Sequence, residues 1–326
     1  MIPFVIILVG LVYAIIFTLI SYPSNSFIRA IFILLLSYLH PFHFSWLKPE
    51  LIFINSYLGI EKWQFGITLF TLSLALYLYK QDKKILAILS LFFMTFAINL
   101  PSKSKNINLK NNITLVDQKV PQDIKWNPRY KEQIIQKDIL AIKKAIKNKK
   151  EMVVLSESAF PIYLNIDEQL LSTLKKLSKK IIIIAGALRY TKDGYYNSTY
   201  YFIDGKIKIA DKVVLVPFGE EIPLPKFLRD FINRIFFDGA EDFKTAKHPT
   251  IVKIKGETFT NAICYEATED IIYKNHPRYI IAISNNAWFT PSIEPTLQNL
   301  LLKYYSKIYH TTILHAANMG ISGIIQ

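Results

Sequence analysis

Of the 326 residues, 51% are hydrophobic and 14% aromatic, and the mean hydropathy is +0.24. An ordinary soluble domain of this size is less apolar, so part of the chain is expected in lipid. The formal charge is +14, and residues beyond 100 hold 33 of the 39 Lys and Arg and 22 of the 25 Asp and Glu. Such a basic part fits nucleic acid or anionic lipid headgroups; without an aromatic-basic RNA motif, lipid is favoured and no nucleic-acid partner is expected. No P-loop, Gly-rich nucleotide motif, internal repeat or metal-spaced His/Cys cluster occurs, so no metal site is expected.

Residues 3–21 carry no charge and approach the length needed to cross a bilayer. They follow Met1 without a basic start or a small-residue cleavage site, so they read as a retained span rather than a signal peptide. Pro23 and Asn25 end the run. A second span is expected from Ala30 to Leu39, extended through Phe42 and Trp46, with a third from Phe65 to Tyr79 and a fourth from Ile85 to Leu100. The loop Lys80-Gln81-Asp82-Lys83-Lys84 is the most positive of this half and is expected to be cytoplasmic, which places everything after Pro101 on the other side. Residues 101–111 read as a linker.

From residue 112 onward, helical and strand-like periodicities alternate. Strands are expected at Ile113–Asp117, Met152–Leu155, Ile181–Ala187, Thr199–Ile203 and Lys206–Val214, then at Thr250–Lys255, Thr258–Cys264, Tyr279–Ser284 and Ile321–Ile325. Helices are expected at Pro128–Lys147, Asp167–Lys179, Phe227–Phe236, Thr268–Lys274 and Pro295–Ala316. This mixture suits a sheet-on-sheet core covered by helices.

Cys264 is the only cysteine. It cannot form an intramolecular disulfide, and a lone cysteine is more often a small buried hydrophobe than a nucleophile. A nucleophilic thiol needs a base or a positive neighbour from elsewhere in the fold. Two apolar runs end on such groups: Val153-Val154-Leu155-Ser156-Glu157-Ser158-Ala159-Phe160-Pro161, stopped by its proline, and Asp211-Lys212 followed by Pro217-Phe218-Gly219-Glu220. Burial at the end of an apolar run is a setting in which pKa values shift.

The order Glu157, Lys212, Cys264 resembles the nitrilase superfamily. More narrowly, Ser-Glu-Ser-Ala-Phe-Pro, Lys-(four residues)-Pro-Phe-Gly-Glu, Ile-Cys-Tyr-Glu and Ile283-Ser284-Asn285-Asn286-Ala287-Trp288-Phe289 resemble the apolipoprotein N-acyltransferase family. That resemblance implies an α/β fold in which N-terminal transmembrane helices (1–100) and a linker (101–111) precede a nitrilase-like αββα sandwich domain (112–326). It implies Glu157 as general base, Lys212 as oxyanion partner and Cys264 as nucleophile. Glu220 and Glu266 would orient the lysine and close the pocket, Tyr265 would offer its backbone N–H to the oxyanion, and Trp126 and Asn197 would lie near the pocket. It further implies a phospholipid acyl donor, a diacylglyceryl apolipoprotein acceptor, no cofactor, and a multi-pass protein of the bacterial inner membrane with its catalytic domain on the periplasmic side.

Departures from the family pattern are also visible. About four membrane helices precede the domain where seven are usual, and the pattern continues past Gln326, so the domain is expected to be C-terminally incomplete. Phe42-His43-Phe44-Ser45-Trp46-Leu47 resembles a loop deep within the family's membrane part. Asn286 and Thr290 stand where Asp and Gly are expected, and His310 and His315 where arginines are usual. A membrane-anchored nitrilase-type amidase and a shortened, inactive member remain as alternative readings.

Overall fold

A computed structural model describes residues 2–39, 45–99, 112–217, 219–221 and 243–326. These divide into two compact units, one over the first hundred residues and one over the described residues from 112 onward. The expected helix at Phe227–Phe236, the linker and the Phe42 segment lie outside the described residues.

The first unit begins with α1 (Ile2–Ser21), a charge-free helix of 20 residues. Asn25 then caps α2 (Ser26–Leu36), its side chain accepting from Phe27 N at 2.8 Å, a contact generally worth about 1 kcal/mol. Helix α3 (Lys62–Lys80) starts from a capping box between Glu61 and Gln64. It packs on α2 through Phe27, whose ring lies 5.6 Å from Phe70 and 6.1 Å from Tyr77. Glu50, fully buried, pairs with Lys62.

Around these contacts the surface is apolar: Leu11, Ile15, Phe17, Ile31, Leu35, Phe70 and Leu76 are all exposed. Two of the expected spans differ from the elements observed. The second ends at Leu36 after 11 residues, about 16 Å of helix and far less than a bilayer core. The fourth changes from α4 (Lys84–Ser90) to a 3₁₀ segment at Leu91–Ala97. Among the described residues no helix is both long and apolar enough to cross a membrane, and the α1 side chains at 2–6, 8 and 9 are outside that set.

The second unit is built on two sheets. Strands β1 (Ile113–Leu115), β2 (Met152–Val154), β4 (Ile182–Thr191), β5 (Gly194–Ile203) and β6 (Lys206–Asp211) form the first in that order, and β3 (Phe160–Tyr163) also pairs with β4. The second has the order β11 (Gly323–Ile325), β10 (Thr312–Asn318), β9 (Tyr279–Asn285), β8 (Glu257–Ile263), β7 (Ile251–Ile254). Three helices complete the unit's longer elements: α6 (Lys131–Lys147), after the short α5 (Gln122–Lys125), then α7 (Glu168–Ser178) and, after α8 (Asp270–Tyr273), α9 (Glu294–Tyr309).

The two-residue period of the strands sorts side chains into layers. Val154, Ile182 and Ile184 face Ile263, Ile281 and Ile283 in a core between the sheets. Their neighbours Val153, Ile183 and Ala185 pack outward onto Ile139 and Ile142 of α6 and Leu174 of α7. Parallel strands buried on both faces read as continuous apolar runs, which is how β4 and β9 look in sequence.

Three local expectations are corrected. The helix expected to reach Ala316 stops at Tyr309, where His310 turns left-handed (φ 51°). The chain then pairs in parallel with β9 from Thr312 to Asn318. Strand β6 ends at Asp211 rather than Val214, because the Val213 and Val214 N–H groups donate to the Glu266 carboxylate instead of a neighbouring strand. Pro161 does not end the run after Glu157. It lies inside β3, between Phe160 and Tyr163, where the register with β4 shifts.

Candidate active site

Glu157, Lys212 and Cys264 each follow a strand end, after β2, β6 and β8 respectively. Cys264 leaves β8 in a left-handed conformation, φ 56°, and opens a 3₁₀ turn at Cys264–Thr268. For a residue with a Cβ this conformation costs about 1–2 kcal/mol, and such strain is often found where a side chain must be aimed at chemistry. Glu266 holds the turn: one carboxylate oxygen accepts from Ile263 N at 2.7 Å and the other from Val213 N at 2.6 Å and Val214 N at 3.0 Å. It thus ties the thiol turn to the segment that carries Lys212.

Lys212 is fully buried between acids. Its Nζ donates to Glu220 Oε2 and lies 4.0 Å from Glu157 Oε1. Asn197 Nδ2 bridges the two acids, at 2.7 Å from Glu157 and 3.2 Å from Glu220. Glu220 is fixed in turn by Val216 N at 2.9 Å. The other oxygen of Glu157, Oε2, is buried with no hydrogen-bond partner among the described residues.

Turn geometry at Glu157 requires a glycine across from it. A Cβ on Gly186 of β4 would meet Ser158 N at 2.5 Å and the Glu157 Cα at 2.6 Å.

Electrostatics follow from burial. Burial pushes the Cys264 thiol well above its usual value, the Glu157 charge adds to this and Lys212 opposes it. Burial likewise raises Glu157, against the opposing pull of Lys212. For Lys212 burial favours the neutral amine, but Glu220 and Glu157 outweigh it and hold the ammonium. Glu266 is pushed up to about 7 by burial. A neutral thiol, a raised carboxyl and a fixed cation therefore share one buried volume.

Sequence reading anticipated Glu157, Lys212, Cys264, Glu220, Glu266 and Asn197, and the structure brings these six together. Tyr265 is buried beside Cys264. Trp126 is partly exposed and lines a surface depression with Lys131, Pro161, Tyr163 and Leu188. Sequence reading missed Glu294 and Gln298. Gln298 Nε2 approaches Cys264 Sγ at 3.9 Å, and both side chains accept from the Asn286 amide at 2.8–3.0 Å. Their i, i+4 spacing on α9 was legible, but nothing local linked that face to the thiol. Among the described residues no group of His, Cys, Asp and Glu could hold a metal ion.

A buried thiol, carboxylate and lysine thus meet near strand ends of a unit built on two sheets. Residues 120–326 match the carbon-nitrogen hydrolase family, and residues 1–99 match the integral membrane domain of apolipoprotein N-acyltransferase. Proteins named apolipoprotein N-acyltransferase from Wolinella succinogenes and Helicobacter pylori are 42% and 37% identical to the chain. Each alignment covers 100% of this chain, with 78% and 76% of the relative respectively. The Campylobacter jejuni protein of that name is 37% identical, over 98% of this chain and 70% of its own length. Among solved structures, a nitrilase-superfamily member from Saccharomyces cerevisiae aligns at TM-score 0.47 with 18% identity, over 63% of this chain and 74% of its own. The chain belongs to the apolipoprotein N-acyltransferase family.

Proposed function

We propose that this acyltransferase moves an acyl chain from a phospholipid, through a thioester on Cys264, to the N-terminal amine of an S-diacylglyceryl-cysteine lipoprotein. Glu157 Oε2 takes the thiol proton as sulfur attacks the ester carbonyl. The oxyanion is met by the Lys212 ammonium and the Tyr265 backbone N–H. Collapse breaks the ester C–O bond, and Glu157 returns the proton to the departing lysophospholipid oxygen. The acceptor amine then attacks the thioester, loses its proton to Glu157, and expels the sulfur, which takes that proton back. Glu220 and Asn197 orient Lys212 and Glu157, and Glu266 holds the turn.

The observation that carries this reading is the unpartnered, buried Oε2 of Glu157 in the same cluster as the thiol and the lysine. A raised carboxyl suits a group that must both accept and return a proton near neutral pH. The charge-free first helix and the exposed apolar side chains of the first unit support a multi-pass placement in the bacterial inner membrane. The Lys80–Lys84 loop supports a cytoplasmic side for that turn and a periplasmic side for Cys264.

Incubation of the full chain with phospholipid and no acceptor should leave an acyl group on Cys264 that neutral hydroxylamine removes, since the first half-reaction needs only the donor. Cys264→Ser should lose the adduct. A folded sample that forms none would defeat acyl transfer by this chain; turnover of a small soluble amide would then mark the amidase reading, and its absence the shortened, inactive one.

A further inference from the structure

One buried charge has no part in the mechanism above. Lys125, at the end of α5, is almost fully buried, and its Nζ donates to the backbone carbonyl of Glu157 at 3.0 Å and to Gln118 Oε1 at 3.4 Å. Gln118 is itself fixed on several sides: its amide donates to Asp138 of α6, and its Oε1 accepts from Ser156 Oγ at 2.5 Å. A polar chain therefore runs from α6 through Gln118 and Lys125 to the residue that carries the base.

Burying an ammonium is expensive unless charge and hydrogen bonds compensate it. Asp138 is the acid one would expect to do this, yet burial pushes it up to about 8, with Lys125 opposing. Burial brings Lys125 down to about 8, against Glu157 and Asp138. Burial thus works against the charge of both members of that pair, and Glu157 is a second acid whose charge acts on Lys125. A structural lysine needs only a carbonyl and an acid. This one is tied to the backbone of the base and coupled to its charge.

We propose that Lys125 is a positioning residue for Glu157, fixing its carbonyl and adding a second cation to the field in which its carboxylate titrates. The inference rests on Glu157 being the base of thioester formation. The charged groups that act on Glu157 are Lys212, Glu220 and Lys125, with Cys264 and Glu294 facing it from β8 and α9. Removing a cation from this set raises the carboxyl further, because the neutral acid gains relative to the carboxylate.

The test measures the pH dependence of Cys264 acylation in the full chain in detergent micelles, with labelled phosphatidylethanolamine and phosphatidylglycerol as donors. Lys125→Met removes donor and charge; Lys125→Gln keeps a donor and removes the charge. Both should move the acidic limb to higher pH, and Lys125→Met should also slow the plateau rate more than tenfold. Asp138→Asn should leave the limb in place, since it keeps the Lys125 charge and its bond to the Glu157 carbonyl. Should Lys125→Met fail to fold, Lys125→Gln carries the comparison. Limbs that superimpose on the wild type's, whatever the rate, would overturn the inference while wild-type acylation keeps Cys264 as nucleophile. Absence of the adduct in wild type would overturn both.

Discussion

At the scale of single residues, the site is defined by what burial does to three ionisable groups. Burial and the neighbouring carboxylates favour the neutral Cys264 thiol, so in the proposed mechanism the thiolate forms only as Glu157 accepts the proton. Glu157→Gln should therefore abolish the hydroxylamine-sensitive adduct, since a carboxamide has no basic oxygen. Lys212→Arg should leave at most a trace, because a planar fork replaces a compact ammonium poorly beside a small oxyanion. Normal acylation by Glu157→Gln would remove that residue from the base role. The sign of the pH dependence follows as well. In the proposed mechanism acylation requires Glu157 deprotonated, and burial raises its carboxyl above the ordinary 4.5. The rate should consequently fall as pH drops through a value higher than 4.5, and a pH–rate profile that stays flat down to 4.5 would contradict the burial argument.

Elements position those residues by backbone geometry. Gly186 lets β4 run against the turn after β2: any side chain there would strike the backbone of Glu157 and Ser158. Gly186→Ala should displace that turn, lower stability by about 1–3 kcal/mol as overpacked sites do, and reduce adduct formation at least tenfold. A melting curve and the adduct assay report the two effects separately, and full acylation in the variant would show that Glu157 tolerates the shift. The Ser198 hydroxyl, by contrast, donates to Asp211 at 2.7 Å, and Asp211 also pairs with Arg189. That contact holds the end of β6, from which Lys212 departs. Both elements that matter most are thus strand ends whose neighbours, distant in sequence, fix where the chain leaves the sheet.

On the scale of the whole molecule, the membrane-facing reading makes a prediction about sidedness. Cysteines introduced singly at Gln81 and Asn111, in a Cys264→Ser background, should differ in intact cells. An impermeant thiol reagent should label position 111 and spare position 81. The reverse pattern would invert the topology, because three lysines of the Lys80–Lys84 loop would then lie on the outer side.

The sequence alone determined the alternation of elements, because burial on both faces of β4 and β9 and the two-residue period of the strands are properties of neighbouring residues. It also pointed to six residues that meet: Glu157, Lys212 and Cys264 at the edges of apolar runs, and Glu220, Glu266 and Asn197 through the family resemblance of the motifs around them. The structure departed from the sequence reading in two ways. The helix carried through to Ala316 failed because a left-handed His310 and parallel pairing with β9 are decided by partners far along the chain. The second and fourth spans were drawn from hydropathy, which does not register where an 11-residue helix stops or where a helix tightens to 3₁₀. Only the tertiary structure gave Glu294 and Gln298 their place near the thiol, Glu266 its hold on three backbone N–H groups, and Lys125 its bond to the Glu157 carbonyl. Each of these is a polar contact across a buried space, and such contacts leave no period or run in the sequence. They exist because most buried polar atoms must find a partner, and the fold determines which one is within reach.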